Sequence, residues 1–209
     1  MIKPTITIID YGMGNLWSVS SALDYLGYPS RICSDPKKIL SAESLILPGV
    51  GSFRKAMITL RKKGLDKAII EAVQNRGINI LGICLGMQLL SSHGSEDGSM
   101  KGLGLIPVKV EKFRANETGL NKIPHIGFDT VSSSSNSLLF KGLERLTDFY
   151  FVHSYRMLPI GLDGKVATCE YGIKFLAAYE KDNIFATQFH PEKSHLVGLN
   201  LIQNFCKLQ

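Results

Sequence analysis

Short runs of apolar and β-branched residues alternate with stretches of helical periodicity over the first half of the chain. This alternation constrains the fold more than any other feature. The runs TITII at 5–9 and INILGI at 78–83 have the composition of strands buried on both faces. Leu16, Val19 and Leu23 recur between them at helical spacing. Because strands separated by helices need crossover connections, the pattern predicts a parallel sheet with helices on both faces.

The second half of the chain changes to runs that are typical of strands. These runs cover residues 108–113, 149–155, 166–171, 174–180 and 184–190. Residues 181–183 are typical of a hairpin turn and lie between the last two of these runs. Apolar residues after Ser194 predict a helix at the end of the chain. The sequence therefore predicts an α/β fold: a mostly parallel central sheet flanked by helices, with a smaller antiparallel extension in the second half.

The composition is that of an ordinary globular chain with a moderate excess of basic residues. The 209 residues include 44% hydrophobic and 20% charged residues and carry a net charge of +6. This length suits a single domain over residues 1–209, and the scattered basic residues argue against nucleic acid binding. No apolar run approaches the ~20 residues that span a bilayer, which argues against a membrane segment.

Four cysteines lie at positions 33, 84, 169 and 206, without the spacing of a metal site or a disulfide framework. Free cysteine is among the most often buried residue types, and paired cysteines are rare in reducing compartments. We therefore expect reduced thiols in a cytoplasmic protein. Plain packing is the expected role of Cys33, Cys169 and Cys206.

Cys84 stands in a more unusual setting. The stretch GICLGMQLL at 82–90 places it between two glycines, after a buried strand and before an apolar helix. This is the pattern of a nucleophile elbow, in which a tight turn presents the nucleophile and the helix start favours the thiolate. The same pattern fits a buried cysteine in a glycine-rich turn, so spacing alone leaves both interpretations open.

The stretch FHPE at 189–192 supplies a possible base for this cysteine. His190 ends the last predicted strand, and Glu192 follows two residues later. An imidazole can take the proton of a thiol, and a carboxylate can orient the ring and stabilise its charged form. Alone the triplet is a weak signal, but together with a cysteine elbow it favours the nucleophile.

Several longer motifs occur in one order along the chain: IIDYGMGN (8–15), LPGVGSF (47–53), GICLGMQLL (82–90), PHIGF (124–128), YFVHSY (150–155) and QFHPEKS (188–194). Through them the chain resembles the class I, triad-type glutamine amidotransferases, and more narrowly the glutaminase subunits that serve imidazole glycerol phosphate synthase. The resemblance implies a flavodoxin-like fold. It also implies that Cys84 is the nucleophile, His190 the general base and then acid, and Glu192 the residue that orients the imidazole.

The resemblance further implies hydrolysis of L-glutamine to glutamate and ammonia through a cysteine thioester. No metal and no organic cofactor is implied. The ammonia would pass through a tunnel to a cyclase (synthase) subunit, in a heterodimer that makes imidazole glycerol phosphate and AICAR in histidine biosynthesis. The implied oxyanion and glutamine-binding residues are Gly49, Val50, Gly51, Leu85, Gln88, Glu96, Ser154 and Tyr155.

On the face that meets the synthase, the resemblance places Asn15, His125, Phe128 and Lys193. The family usually has tryptophan and asparagine at the positions of Phe128 and Asp129. Such a change at the docking face is compatible with a second interpretation. In that interpretation the chain is a paralogous glutaminase that supplies ammonia to another synthase, such as one that amidates sugars for surface polysaccharides.

Overall fold

A nine-stranded sheet and a four-stranded sheet organise the chain in a computed structural model, which describes residues 3–208. The strands are β1 (Ile6–Ile9), β2 (Ser30–Cys33), β3 (Ser44–Leu47), β4 (Asn79–Ile83), β5 (Ser91–Gly94), β6 (Met100–Lys101), β7 (Ile106–Lys112), β8 (His125–Ser132), β9 (Leu146–His153), β10 (Tyr155–Arg156), β11 (Lys165–Tyr171), β12 (Ile173–Lys181) and β13 (Ile184–Thr187). The helices are α1 (Leu16–Tyr25), α2 (Pro36–Ile39), α3 (Phe53–Lys62), α4 (Leu65–Ile70), α5 (Leu85–Leu89), α6 (Ala115–Thr118) and α7 (His195–Cys206). A π-helical turn at Glu71–Asn75 continues α4, and a 3-10 turn at Pro191–Lys193 precedes α7.

The large sheet is parallel along one half and antiparallel along the other. Its strand order is β2-β1-β3-β4-β13-β12-β11-β8-β9. Neighbours from β2 to β13 are parallel, and those from β13 to β9 are antiparallel. The predicted α/β class is therefore confirmed, and the antiparallel strands continue the central sheet instead of forming a separate unit.

Helices on the two faces of this sheet bury two apolar layers. Leu60 of α3 belongs to one layer, and Leu23 of α1 and Phe205 of α7 belong to the other. Strand β1 contributes Ile9 to the first layer and Ile8 to the second, because successive strand residues point to opposite faces. The run at the start of the chain is thus buried on both sides, as its composition predicts.

The four-stranded sheet, in the order β10-β7-β5-β6, positions a loop beside the large sheet. The turn between β5 and β6 brings Glu96 to the start of α3, where its Oε2 accepts a hydrogen bond of 2.8 Å from the N–H of Phe53. Among residues 3–208, no helix combines the length and the apolar character needed to cross a membrane.

Several strands differ from the sequence predictions: the short strands β5 and β6 were not predicted, and the strand predicted over 184–190 ends at Thr187. β8 was not predicted, because its residues HIGFDTVS mix glycine and aspartate with apolar positions, yet it pairs with β9 along its whole length. The predicted strand at 149–155 begins at Leu146 and breaks at Ser154. The chain passes there from the large sheet to the small one, since β10 pairs with β7.

Candidate active site

Three adjacent parallel strands end at the same edge of the large sheet and supply the candidate site. Strand β3 leads into the loop at 48–51, β4 leads into Cys84, and the segment after β13 leads to His190. Because β4 lies between β3 and β13, Cys84 occupies the middle of this edge. The carboxyl ends of parallel strands are where α/β sheets bind ligands.

Cys84 itself makes the sharp turn between β4 and α5. Its backbone has φ 53° and ψ −110°, a conformation that side chains other than glycine rarely adopt. Its N–H donates a hydrogen bond of 2.7 Å to the carbonyl of Thr187, which ties the turn to β13. A strained residue between a strand and a helix is the geometry of a nucleophile elbow.

The two glycines around the cysteine are required by close packing. A Cβ on Gly86 would lie 1.7 Å from the carbonyl oxygen of Leu47, and a Cβ on Gly82 would lie 2.8 Å from Cδ1 of Leu90. Neither glycine has a positive φ. The spacing of the motif therefore reflects how closely α5 lies against β3 and β4.

His190 and Glu192 form a buried pair. Nδ1 of His190 lies 2.7 Å from Oε1 of Glu192, and both side chains are 2% exposed. Since Glu192 engages Nδ1, the nitrogen left for proton transfer is Nε2. Nε2 is buried and has no hydrogen-bond partner within the described part of the chain. The pair thus has the geometry of an oriented base.

The backbone around this base is held against β9. The N–H of His190 donates to the carbonyl of Tyr150 at 2.9 Å. The hydroxyl of Ser194 donates to the carbonyl of His190 at 2.7 Å and accepts from the N–H of Tyr150 at 3.0 Å. These bonds explain why the serine that closes the QFHPEKS motif is fully buried.

The groups around His190 favour its charged form. Burial lowers the pKa of His190, but the neighbouring Cys84 thiol and the hydrogen-bonded carboxylate of Glu192 outweigh burial and raise this pKa to about 10. Burial instead raises the pKa of the Cys169 thiol above its usual range and that of Cys206 to about 12. Of these three thiols, Cys84 is the one that borders the same pocket as His190.

A pocket of about 300 Å³ is bordered by Cys84 and His190. Its lining residues are Val50, Gly51, Cys84, Leu85, Gln88, Glu96, Pro124, Val152, His153, Ser154, Tyr155 and His190. The volume suits a small metabolite. Every residue predicted for the oxyanion and glutamine sites borders this pocket except Gly49.

Gly49 fills a narrow space next to the hydroxyl of Tyr11. A Cβ at this position would lie 2.3 Å from the Tyr11 oxygen and 3.0 Å from Cβ of Leu85. Two residues further on, Gly51 has φ 95°, a backbone region that favours glycine. The loop at 48–51 therefore depends on glycine for space at one position and for torsional freedom at another.

Replacing Tyr11 by phenylalanine is expected to stabilise the fold by about 1 kcal/mol. The Tyr11 hydroxyl is buried and lacks a hydrogen-bond partner among residues 3–208. Removing this hydroxyl from water therefore costs free energy that no hydrogen bond in the folded state offsets. Urea unfolding measures the change. Tyr179→Phe is the matched control, because the buried Tyr179 donates to Asp163 at 3.5 Å and its loss should not stabilise. A destabilised Tyr11→Phe protein would contradict the prediction.

Glu96 places a negative charge on the pocket wall. Its carboxylate is half-buried, and burial raises its pKa. The N–H of Phe53 fixes one oxygen at the start of α3. A carboxylate at this position can pair with an ammonium group of a small ligand.

Gln88, which lines the pocket, contacts a residue that the sequence did not identify, Gln188. Nε2 of Gln88 donates to the carbonyl of Tyr155 at 3.2 Å and to Oε1 of Gln188 at 2.9 Å. Nε2 of Gln188 lies 3.7 Å from Sγ of Cys84. One signal could have found Gln188, since it precedes His190 by two positions in an extended segment and shares its face.

His125 is buried and does not reach the surface. Its ring is stacked between Phe151 at 4.7 Å and Tyr171 at 4.0 Å, and Nδ1 lies 3.1 Å from Nε2 of His153. Burial lowers the pKa of both histidines, that of His153 to about 3. The prediction that His125 contacts a partner is therefore corrected: its buried ring instead links β8 to the pocket residue His153, and its Nε2 lies 3.3 Å from Oδ2 of Asp129.

Two other predicted partner contacts share one surface cluster, which consists of Phe128, Tyr150, Lys193 and His195. Phe128 is 49% exposed and stacks on His195 at 5.2 Å. Nζ of Lys193 lies 5.8 Å from the Tyr150 ring centre, and Phe128 packs edge-on against the same ring. The fourth predicted contact, Asn15, is half-buried and caps α1. The cluster offers an aromatic and basic surface beside the loop that holds His190.

The site as a whole has the groups needed to attack an acyl carbon. A cysteine at a strand-to-helix turn, an imidazole beside it and a carboxylate on that imidazole supply the nucleophile, the base and the orienting group. No set of three or more His, Cys, Asp or Glu side chains within residues 3–208 could hold a metal ion.

Comparisons with known sequences agree with this chemistry. The family description "Glutamine amidotransferase class-I" matches residues 7–208. The imidazole glycerol phosphate synthase subunit HisH of Moorella thermoacetica is 48% identical over 203 residues, which cover 97% of this chain and 94% of that protein. Subunit HisH 1 of Parasynechococcus marenigrum is 45% identical, with 96% of each chain covered.

Solved structures share the fold at low sequence identity. A chain in the structure of PurLQS from Thermotoga maritima superposes with a TM-score of 0.71 at 19% identity, with 97% of each chain covered. The crystal structure of a glutamine amidotransferase superposes with a TM-score of 0.74 at 16% identity and the same coverage. At such identities the likeness concerns the fold alone.

Proposed function

The chain belongs to the class-I glutamine amidotransferase family, and from this we propose that it is the glutaminase subunit of an imidazole glycerol phosphate synthase. It hydrolyses L-glutamine to glutamate and ammonia for a synthase subunit that makes imidazole glycerol phosphate and AICAR in histidine biosynthesis. The observation that carries the proposal is the buried Glu192–His190 pair beside Cys84. Relatives named HisH over nearly the whole chain favour this role over amidation of sugars.

The reaction begins with proton transfer inside the site. Nε2 of His190 takes the proton of the Cys84 thiol, and Glu192 stabilises the resulting imidazolium through Nδ1. The thiolate attacks the side-chain amide carbon of glutamine and forms a tetrahedral adduct. His190 returns the proton to the departing nitrogen, so that ammonia leaves and a glutamyl thioester remains. Water, activated by His190, then attacks the thioester, and glutamate leaves as the thiolate forms again.

The oxyanion of each tetrahedral adduct needs hydrogen-bond donors next to the sulfur. The first N–H groups of a helix lack partners within that helix, which supports the backbone of Leu85 as one donor. The loop that contains Val50 and Gly51 borders the same pocket and supplies the other. The positive φ of Gly51 supports a loop whose peptide groups can turn toward the substrate.

Groups further along the pocket hold the rest of the glutamine molecule. The carboxylate of Glu96 is placed to pair with the α-ammonium group. Ser154 and Tyr155 line the wall where the chain passes between the two sheets. Gln88 uses its amino group within the protein, so its carbonyl oxygen is the atom left for the substrate.

A synthase subunit binds at the surface cluster of Phe128, Tyr150, Lys193 and His195, because two of its members, Lys193 and His195, closely follow the base His190 in sequence. All of residues 1–209 act as one domain, which the family match over 7–208 supports. Free buried cysteines support a cytoplasmic location, where thiols stay reduced. The glutaminase step needs only the side chains and backbone groups named above and water, without a cofactor.

Mixing the chain with its cyclase subunit tests both the activity and the partner. We expect a 1:1 complex and a glutamine hydrolysis rate that rises at least about tenfold when the cyclase carries its nucleotide ligand. The reason is that ligand binding to the partner increases the population of the active conformation of the glutaminase site. Release of glutamate is the measurement. Absence of both a complex and stimulation would reject this partner.

The surface cluster gives this experiment its matched variants. Phe128→Asp should weaken the complex at least about tenfold, because it places a charge in an apolar contact. Ile160→Asp changes an exposed apolar residue in the loop before β11 and should leave the affinity unchanged. Equal affinities for the two variants would show that the partner binds elsewhere.

A further inference from the structure

Gln188 makes a contact with Cys84 that the mechanism above does not use. Its side chain is fully buried, and its Nε2 lies 3.7 Å from Sγ of Cys84. The other groups next to the sulfur already have a role in that mechanism. His190 takes the thiol proton, and the backbone N–H at the start of α5 donates to the oxyanion. What the amide of Gln188 contributes depends on whether it presents its N–H or its carbonyl oxygen to the sulfur.

The hydrogen bonds around Gln188 decide this orientation. The backbone carbonyl of Tyr155 can only accept, so Gln88 must direct its amino group to it. The same amino group lies 2.9 Å from the Gln188 side chain, which must therefore present its carbonyl oxygen there. The N–H group of Gln188 is left facing the sulfur. His153 also donates to the Tyr155 carbonyl, at 2.7 Å, and so helps to fix that acceptor.

The backbone holds Gln188 in register with the nucleophile. Its N–H donates to the carbonyl of Ala177 at 2.8 Å, so the residue is anchored to β12. The residue before it, Thr187, accepts the N–H of Cys84 at 2.7 Å. Three groups of this segment therefore lie next to Cys84: the carbonyl of Thr187, the side-chain amide of Gln188 and the imidazole of His190.

We propose that Gln188 is a positioning residue whose side-chain N–H donates to the Cys84 sulfur and selectively stabilises its thiolate form. This inference rests on the proposed function, because it assumes that the thiolate is the working state. A hydrogen bond to an anion is about twice as strong as one to a neutral acceptor, so the bond favours the thiolate over the thiol. It strengthens when His190 removes the proton and again when the thioester breaks and the thiolate leaves.

The test measures the thiolate directly, without glutamine. Cys84 is alkylated with iodoacetamide across a pH series, and mass spectrometry follows the peptide that contains it, with Cys84→Ala as the blank. Gln188→Met keeps the length of the side chain and removes the N–H. We expect its alkylation at pH 7 to be about tenfold slower than wild type, with the midpoint about one pH unit higher. An unshifted midpoint in a folded Gln188→Met protein would overturn the inference.

A measurement on the wild-type protein covers the case in which the variant does not fold. The side-chain NH₂ resonances of Gln188 should shift with pH at the same midpoint as Cys84 alkylation, and Cys84→Ala should abolish that shift. Resonances that do not follow the cysteine overturn the inference while leaving the proposed function intact. A wild-type Cys84 that reacts no faster than the buried Cys169 would instead overturn both.

Discussion

Cys84→Ser should lower glutamine-dependent synthesis by the assembled enzyme about a thousandfold or more and leave ammonium-dependent synthesis within about twofold of wild type. Serine keeps the shape of the side chain, but its hydroxyl is far less acidic than a thiol. His190 can therefore no longer hold the nucleophile as an anion, and the acyl intermediate does not form. Because the proposal assigns only the release of ammonia to this chain, a partner given ammonium should not need Cys84.

The measurement compares the two nitrogen sources in the same complex. Synthesis is followed with saturating glutamine and then with ammonium at a pH high enough to supply free ammonia. His190→Ala serves as a second probe, because it removes the base while the thiol stays in place, and it should also spare the ammonium reaction. Loss of the ammonium reaction in Cys84→Ser would contradict the division of work between the two subunits.

The parts of the site that are local in sequence could be predicted without a structure. β4, Cys84 and α5 follow one another directly, so the order of a buried run, a tight turn and an apolar helix is visible in GICLGMQLL. His190 lies more than a hundred residues away, and it was linked to Cys84 through the FHPE triplet and the family resemblance. The sequence placed its strand in the antiparallel extension, whereas in the structure β13 pairs parallel with β4, so that both strands end at a common edge.

The parts that depend on side-chain direction could not be predicted. His125 stands next to the exposed Ile126 in sequence, but strand alternation turns its ring into the layer between Phe151 and Tyr171. The strand that holds it contains Gly127, and that segment is a strand because it pairs with β9 along its whole length and with β11 near its end. Gln188 likewise became interpretable only when the orientation of Gln88 was known, because an amide offers a donor at one end and an acceptor at the other.

Gly86→Ala should be the most damaging small substitution in the elbow and should cost about 4 kcal/mol or more of stability. Its new methyl carbon would lie 1.7 Å from the carbonyl oxygen of Leu47, which belongs to the backbone of β3 and cannot rotate away. Helix α5 would have to move off the sheet, and Cys84 at its start would move with it. We therefore expect glutamine hydrolysis to be lost even in protein that remains folded.

Gly77→Ala separates this packing effect from the ordinary cost of replacing a glycine. Gly77 has φ 68° and an exposed position, and a methyl group added there would meet nothing within 4 Å, so alanine should cost only about 1 kcal/mol. Urea unfolding of both variants gives the two costs on one scale, and alkylation of Cys84 reports whether the elbow persists. If Gly86→Ala were no more destabilising than Gly77→Ala, α5 could shift without penalty. The strained turn at Cys84 would then be held by its bond to Thr187 rather than by the packing of α5 on β3.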